Sequence, residues 1–83
     1  MEKIVMYGAD WCSMTKRSQS LLDGLNVDYD YINIDNDPEA AAWVREQANG
    51  KEKKPTIKID AEVLVEPSDA ELTAALKRNN RLN

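Results

Sequence analysis

Apolar positions along the chain follow two different periods, and the switches between them mark out its elements. Ile4 to Tyr7 is a short apolar run bounded by Gly8 and Asp10, which predicts a buried strand. Met14, Ser18, Leu21, Leu22 and Leu25 then recur at helical spacing and predict one packed face on a helix from Ser13 to Leu25. Gly24 and Asn26 are its stop residues. Val27 to Ile34 is rich in tyrosine and β-branched residues, which predicts a second strand. Val27, Tyr29 and Tyr31 share one face and Ile32 and Ile34 the other, so both faces need cover. Asp37-Pro38-Glu39 reads as helix N-cap, first-turn proline and first-turn acid. The alanine-rich helix that follows runs to about Ala48, and Asn49-Gly50 closes it. Trp43 and Val44 are its expected anchors, with Trp43 in the core.

Lys51 to Lys54 is a polar loop. Thr56 to Ile59 and Glu62 to Val65 are short strands separated by Asp60-Ala61, which predicts an antiparallel hairpin, although Ala61 is an unusual turn residue. Ser68-Asp69-Ala70-Glu71 is a capping box, and Leu72, Ala75 and Leu76 form the buried side of the last helix. The tail from Asn79 is polar and expected to fray. The order is βαβ, α, ββ, α. Handedness rules make the βαβ unit parallel and right-handed. One four-stranded sheet with helices on both faces is the compact arrangement.

The chain has 83 residues, which argues for one domain over 1–83. A domain of that size buries only about 60% of its unfolded surface, so the core is thin. One cysteine rules out an internal disulfide, and the lack of histidine and clustered thiols leaves a structural zinc site without a ligand set. The net charge of −4, with signs interspersed, argues against nucleic acid as a partner. No stretch approaches the roughly 20 apolar residues of a membrane span. The first residues lack signal-peptide organisation, so a cytoplasmic location is expected, where a free thiol stays reduced.

Cys12 lies between the first strand and the first helix, in Trp11-Cys12-Ser13-Met14-Thr15. The first amides of a helix have no internal partners, and the helix dipole adds about half a positive charge there. A thiolate at that end gains hydrogen bonds and a favourable field, so its pKa falls. An ordinary thiol is only about 3% ionised near neutral pH. A fall of roughly two units multiplies the thiolate population about thirtyfold, offset in part by lower intrinsic nucleophilicity. The competing reading is a cysteine packed as a small apolar residue. Position alone leaves both open.

The segment Met6-Tyr7-Gly8-Ala9-Asp10-Trp11-Cys12-Ser13-Met14-Thr15 resembles the active-site turn of glutaredoxin-like proteins, and especially the mycoredoxin type, where a tryptophan also precedes the cysteine. The likeness continues through Ile34-Asp35, Ala40-Ala41-Ala42 with Val44, Asn49-Gly50, Pro55-Thr56-Ile57-Lys58 and Pro67-Ser68, in order along nearly the whole chain. The resemblance implies an α/β, thioredoxin-like fold of glutaredoxin type, βαβαββα, with a four-stranded mixed sheet flanked by three helices. It implies that Cys12 is the attacking, catalytic cysteine in a turn formed with Trp11, Ser13, Met14 and Thr15. It implies that Pro55 is a cis-proline opposite that cysteine. Lys54, Pro55 and Thr56, with Ser68 and Asp69 at the last helix, are then the substrate- and thiol-binding positions. Thr15 stands where two-cysteine relatives carry their second thiol, which points to a monothiol mechanism. Ala9 stands near the position of a basic residue in many glutaredoxins, Glu66-Pro67 replaces a glycine pair, and Lys54 occupies a usually apolar position.

The function so implied is a monothiol thiol–disulfide oxidoreductase. It would reduce mixed disulfides between proteins and a low-molecular-weight thiol, glutathione or an analogue, as a monomer with no tightly bound cofactor. Two alternatives stand beside it: an iron–sulfur cluster-binding monothiol module, and a catalytically degenerate thioredoxin-fold interaction protein. Several residues carry two readings. The Thr15 hydroxyl donates to the thiolate, or Thr15 is a tolerable early-helix residue. Met14 walls a substrate site or starts the helix core. Lys16, Arg17, Lys53 and Lys54 form a positive rim or a solvated face. Trp11 is a recognition surface or packs under the turn. Ser68 and Asp69 bind the small thiol or simply cap a helix.

Overall fold

The computed structural model describes residues 3–82. Its elements are β1 (Ile4–Gly8), α1 (Ser13–Gly24), β2 (Tyr29–Asn33), a single 3-10 turn (Ile34–Asn36), α2 (Pro38–Gln47), β3 (Thr56–Ile59), β4 (Glu62–Val65) and α3 (Asp69–Arg78). The strands form one sheet in the order β2-β1-β3-β4. β1 runs parallel to β2, with Ile4 opposite Tyr29 and Gly8 opposite Asn33. β3 is antiparallel to β1 and to β4. This is the mixed α/β sheet expected from the order of elements.

Alternation along β1 divides the core in two. Ile4 and Met6 face α1 and α3, where they pack with Ile57, Ile59, Leu22, Leu72, Ala75 and Leu76. Tyr7 points to the other face and joins Ile34, Ala41, Val44 and the half-buried Trp43 of α2. The Tyr7 and Trp43 rings meet at 4.7 Å between centroids, tilted by 41°. The two-sided character of β2 follows: Val27, Tyr29 and Tyr31 pack on the first core, and Ile34 sits in the second. The capping chemistry also holds. The Asp37 carboxylate accepts from the Ala40 N–H at 3.0 Å, and both halves of the Ser68–Glu71 capping box form.

Three expectations are corrected. The second strand is shorter than Val27 to Ile34, because the Asn33 side chain accepts from the Asp35 N–H at 3.0 Å and turns the chain into the 3-10 segment. The packed face of α1 is Thr15, Ser18 and Leu22; Met14 and Leu21 are half-buried, and Leu25, just past the helix end, is exposed. The tail does not fray up to Leu82. Asn79 donates to the Ala75 carbonyl at 2.8 Å and to Glu62 at 3.1 Å, the Arg81 guanidinium pairs with Asp60 at 2.7 Å, and Leu82 packs against the first core. Polar residues hold the tail because the fold brings the β3–β4 turn against the end of α3. That same turn explains Ala61: the left-handed backbone (φ 55°) falls on Asp60, a residue that tolerates it.

Gly8 permits a close approach of α1 to β1. A Cβ there would lie 2.6 Å from both Thr15 Cγ2 and Thr15 Oγ1. Gly8→Ala is expected to destabilise the protein by about 1–3 kcal/mol, the usual cost of overpacking. Urea unfolding checks this, and adding Thr15→Ala should recover part of the loss, so that the two changes are non-additive.

Acid should weaken the fold through three carboxylates. Arg81 holds Asp60 below its ordinary value, Arg78 does the same for Glu62, and the Ser68 backbone N–H for Glu71. A group depressed in the folded state stabilises it above the unfolded pKa, and that contribution disappears as pH falls through the folded value. Urea midpoints should therefore decline through the acidic carboxylate range, and less steeply in Asp60→Asn.

Candidate functional site

Cys12 is the N-cap residue of α1, with extended backbone (φ −82°, ψ 118°) and no side-chain capping bond. Its N–H donates to the Ala9 carbonyl at 3.1 Å, and its carbonyl accepts the first helical bond from Lys16 at 3.1 Å. No acid sits in the first turn of α1. The amides of Met14 and Thr15 are among the helix's orphan donors, and both favour the ionised sulfur. Partial burial alone would push the Cys12 thiol up. The Thr15 hydroxyl, the Thr15 and Met14 N–H groups and the Lys54 cation outweigh it, and the thiol is held below its ordinary value.

Thr15 is a packed residue of the turn. It is fully buried, and its Oγ1 accepts from the Ala9 N–H at 3.4 Å while the hydroxyl serves the sulfur. Packing and thiolate stabilisation come from one side chain.

The loop before β3 forms the opposite wall. The Lys54–Pro55 peptide is cis, and the Cys12 Sγ lies 3.9 Å from the Lys54 carbonyl oxygen, a weak S–H donor contact. Pro55 and Thr56 are buried, and the Thr56 hydroxyl donates to the Lys53 carbonyl at 2.9 Å. The Lys54 ammonium sits 3.4 Å from Glu52 and 5.0 Å from the centroid of the Trp11 ring.

Trp11 does not pack under the turn. It is 67% exposed, and its indole N–H donates to Asp35 at 2.8 Å. Tyr31 donates its hydroxyl to Asp10 at 2.8 Å, so both residues before Cys12 are fastened to β2 or the turn after it. Burial, that Asp10 bond and nearby negative charge, including a Cys12 thiolate, raise the Tyr31 hydroxyl far above its ordinary value, so it remains a donor. Asp10, Asp35, Tyr31 and Glu52 had no role from the sequence. Their partners lie 24 positions away for Asp35 and 21 for Tyr31, a separation that no local pattern reveals.

The remaining positions are more dispersed. Ser13 is exposed and Met14 half-buried on the first turn of α1. The Ser68 hydroxyl accepts from the Glu71 N–H, and Asp69 pairs with Arg17 at 3.5 Å, which places the start of α3 beside α1. Lys53 pairs with Glu66 at 3.5 Å. Among the four rim cations, Lys54 is the one that acts on the sulfur's ionisation.

The glutaredoxin family model matches residues 4–64. This chain belongs to the glutaredoxin family. It is 34% identical over 79 residues to mycoredoxin 1 of Corynebacterium glutamicum, covering 93% of this chain and 96% of the relative. Among solved structures, a glutaredoxin from Methanosarcina mazei superposes with a TM-score of 0.76 at 32% identity, covering 89% of this chain and 77% of that one. A glutaredoxin from Archaeoglobus fulgidus shares the fold at a TM-score of 0.78 and 22% identity, covering 93% and 88%. The protein is a glutaredoxin-like redox protein of thioredoxin fold, and its one cysteine fits a monothiol member of the family.

Alkylation of Cys12 against pH should give a midpoint below that of an unstructured cysteine peptide. Thr15→Val, which keeps the volume and removes the hydroxyl, should raise that midpoint by roughly half to one unit, with circular dichroism checking that the fold is kept.

Proposed function

We propose that the protein is a monothiol thiol–disulfide oxidoreductase acting on mixed disulfides between proteins and a low-molecular-weight thiol. The observation that carries this reading is the seat of Cys12, a half-buried sulfur at a helix N-cap with its thiol held below the ordinary value. In the first exchange the Cys12 thiolate attacks the small-thiol sulfur. A Cys12–small-thiol disulfide forms, the original mixed disulfide breaks, and the protein substrate leaves as a thiolate that takes a proton from water. In the second exchange the thiolate of another small-thiol molecule attacks the sulfur attached to Cys12. Its products are the oxidised small-thiol dimer and the free Cys12 thiolate. Across the two exchanges, one free small thiol is consumed and one protein thiol is released as the mixed disulfide is converted to the small-thiol dimer, and a second cysteine is not needed.

In this reading the backbone at Lys54, Pro55 and Thr56 orients the substrate against the sulfur. Trp11, Ser13 and Met14 border its approach, and Ser68 and Asp69 meet the polar end of the small thiol, glutathione or an analogue. The chain acts as one domain over 1–83 and as a monomer. The cytoplasm, which maintains a reduced thiol pool, suits the second exchange.

The test is turnover of a protein mixed disulfide with each of a panel of small thiols, with the modified state of Cys12 followed by mass spectrometry. Ping-pong kinetics and a Cys12–small-thiol adduct are expected. Cys12→Ser should abolish turnover and the adduct together. Absence of turnover across the panel, with Cys12 free and reduced, would overturn the reading.

A further inference from the structure

We propose that Trp11 is a positioning residue for Cys12 that works through Lys54, its ring face holding the Lys54 ammonium at the sulfur against the pull of Glu52. The inference rests on the reading above that Cys12 works as a thiolate. Lysine side chains are rarely covered, yet that of Lys54 is only 13% exposed. Two identified groups meet its ammonium: the Glu52 carboxylate at 3.4 Å and the Trp11 ring at 5.0 Å from the centroid. That distance is within reach of a cation–π attraction. The backbone of the same lysine contacts the thiol, since its carbonyl oxygen lies 3.9 Å from the Cys12 Sγ. A cation on a four-carbon stem rooted there can serve the sulfur or swing to solvent, and what its tip touches decides which.

Trp11 is suited to make that choice. It is bonded in sequence to Cys12, and its ring is oriented by the Asp35 hydrogen bond at 2.8 Å. At 67% exposure, core burial does not account for its place. The other charged and titratable groups near the sulfur give it no comparable cation. Asp10 lies in the same loop, Asp35 in the 3-10 turn and Glu52 in the loop before β3, and all three are acids. Tyr31 on β2 stays protonated. Lys16 on α1 is exposed, Arg17 pairs with Asp69, Lys53 pairs with Glu66, and Ala9 is uncharged and buried. Lys54 is therefore the side-chain cation that favours the thiolate, and its placement determines by how much.

The experiment follows Cys12 ionisation by ultraviolet thiolate absorbance against pH, in full-length Trp11→Leu, Trp11→Phe, Lys54→Met, Glu52→Gln and the Trp11→Leu/Lys54→Met double variant. Trp11→Leu should raise the midpoint by roughly half a unit, about a threefold loss of thiolate below it. Lys54→Met should raise it by about one unit. Trp11→Phe retains a ring face and should stay near the parent, and Glu52→Gln should lower the midpoint. The double variant should match Lys54→Met alone. An equal Trp11→Leu shift with and without Lys54, or a Trp11→Phe shift as large as Trp11→Leu, would overturn the proposal. Because the titration needs no turnover, a parent that titrates as expected but reduces no mixed disulfide sinks only the functional reading. A parent that turns over while Trp11→Leu leaves the midpoint unmoved sinks only this one.

Discussion

The contact between Thr15 and Gly8 is the constraint on which the site depends. A fully buried threonine occupies the space where a β-carbon of residue 8 would be. That contact presses the first turn of α1 onto the end of β1. Its hydroxyl also ties the intervening loop down by accepting from the Ala9 N–H. Close-packed interiors transmit such contacts with little give. The Cys12 sulfur is consequently held at the mouth of the helix, where unpartnered amides point outward. Redox chemistry in this chain begins with a packing fact.

Around that fixed sulfur, charge is arranged by a second set of contacts. Two hydrogen bonds between an aromatic side chain and an acid fasten the loop before Cys12: Trp11 to Asp35 and Asp10 to Tyr31. At the sulfur itself, the helix amides, the Thr15 hydroxyl and Lys54 outweigh the cost of burial. Lys54 supplies a cation from across the site, in a family member whose loop carries the uncharged Ala9 ahead of the cysteine.

Much of the framework was legible because its causes are local. The N-cap at Asp37, the proline at the first position of α2 and the Ser68–Glu71 capping box each lie within one helical turn, and all formed as read. The hairpin at Asp60-Ala61 followed from spacing alone. The misread tail has the opposite origin. Asn79 and Arg81 are polar, and polarity suggested solvent. Their partners Glu62 and Asp60 lie 17 and 21 positions earlier and meet them only after the hairpin and α3 have packed. Leu25 followed helical spacing yet lies beyond the last turn of α1, so periodicity carried the buried face past the helix end.

The sequence by itself determined the order of elements, the family, and the placement of the one thiol at a strand-to-helix turn, because periodicity, capping residues and a contiguous motif are carried by neighbours along the chain. Tertiary structure decided how acidic that thiol is and what surrounds it. Of the groups that lower its pKa, Lys54 comes from the loop before β3 and reaches the sulfur through the sheet order β2-β1-β3 and not through the chain. Electrostatic interactions depend on distance in space, and spacing along the sequence does not report that distance until the fold has set it.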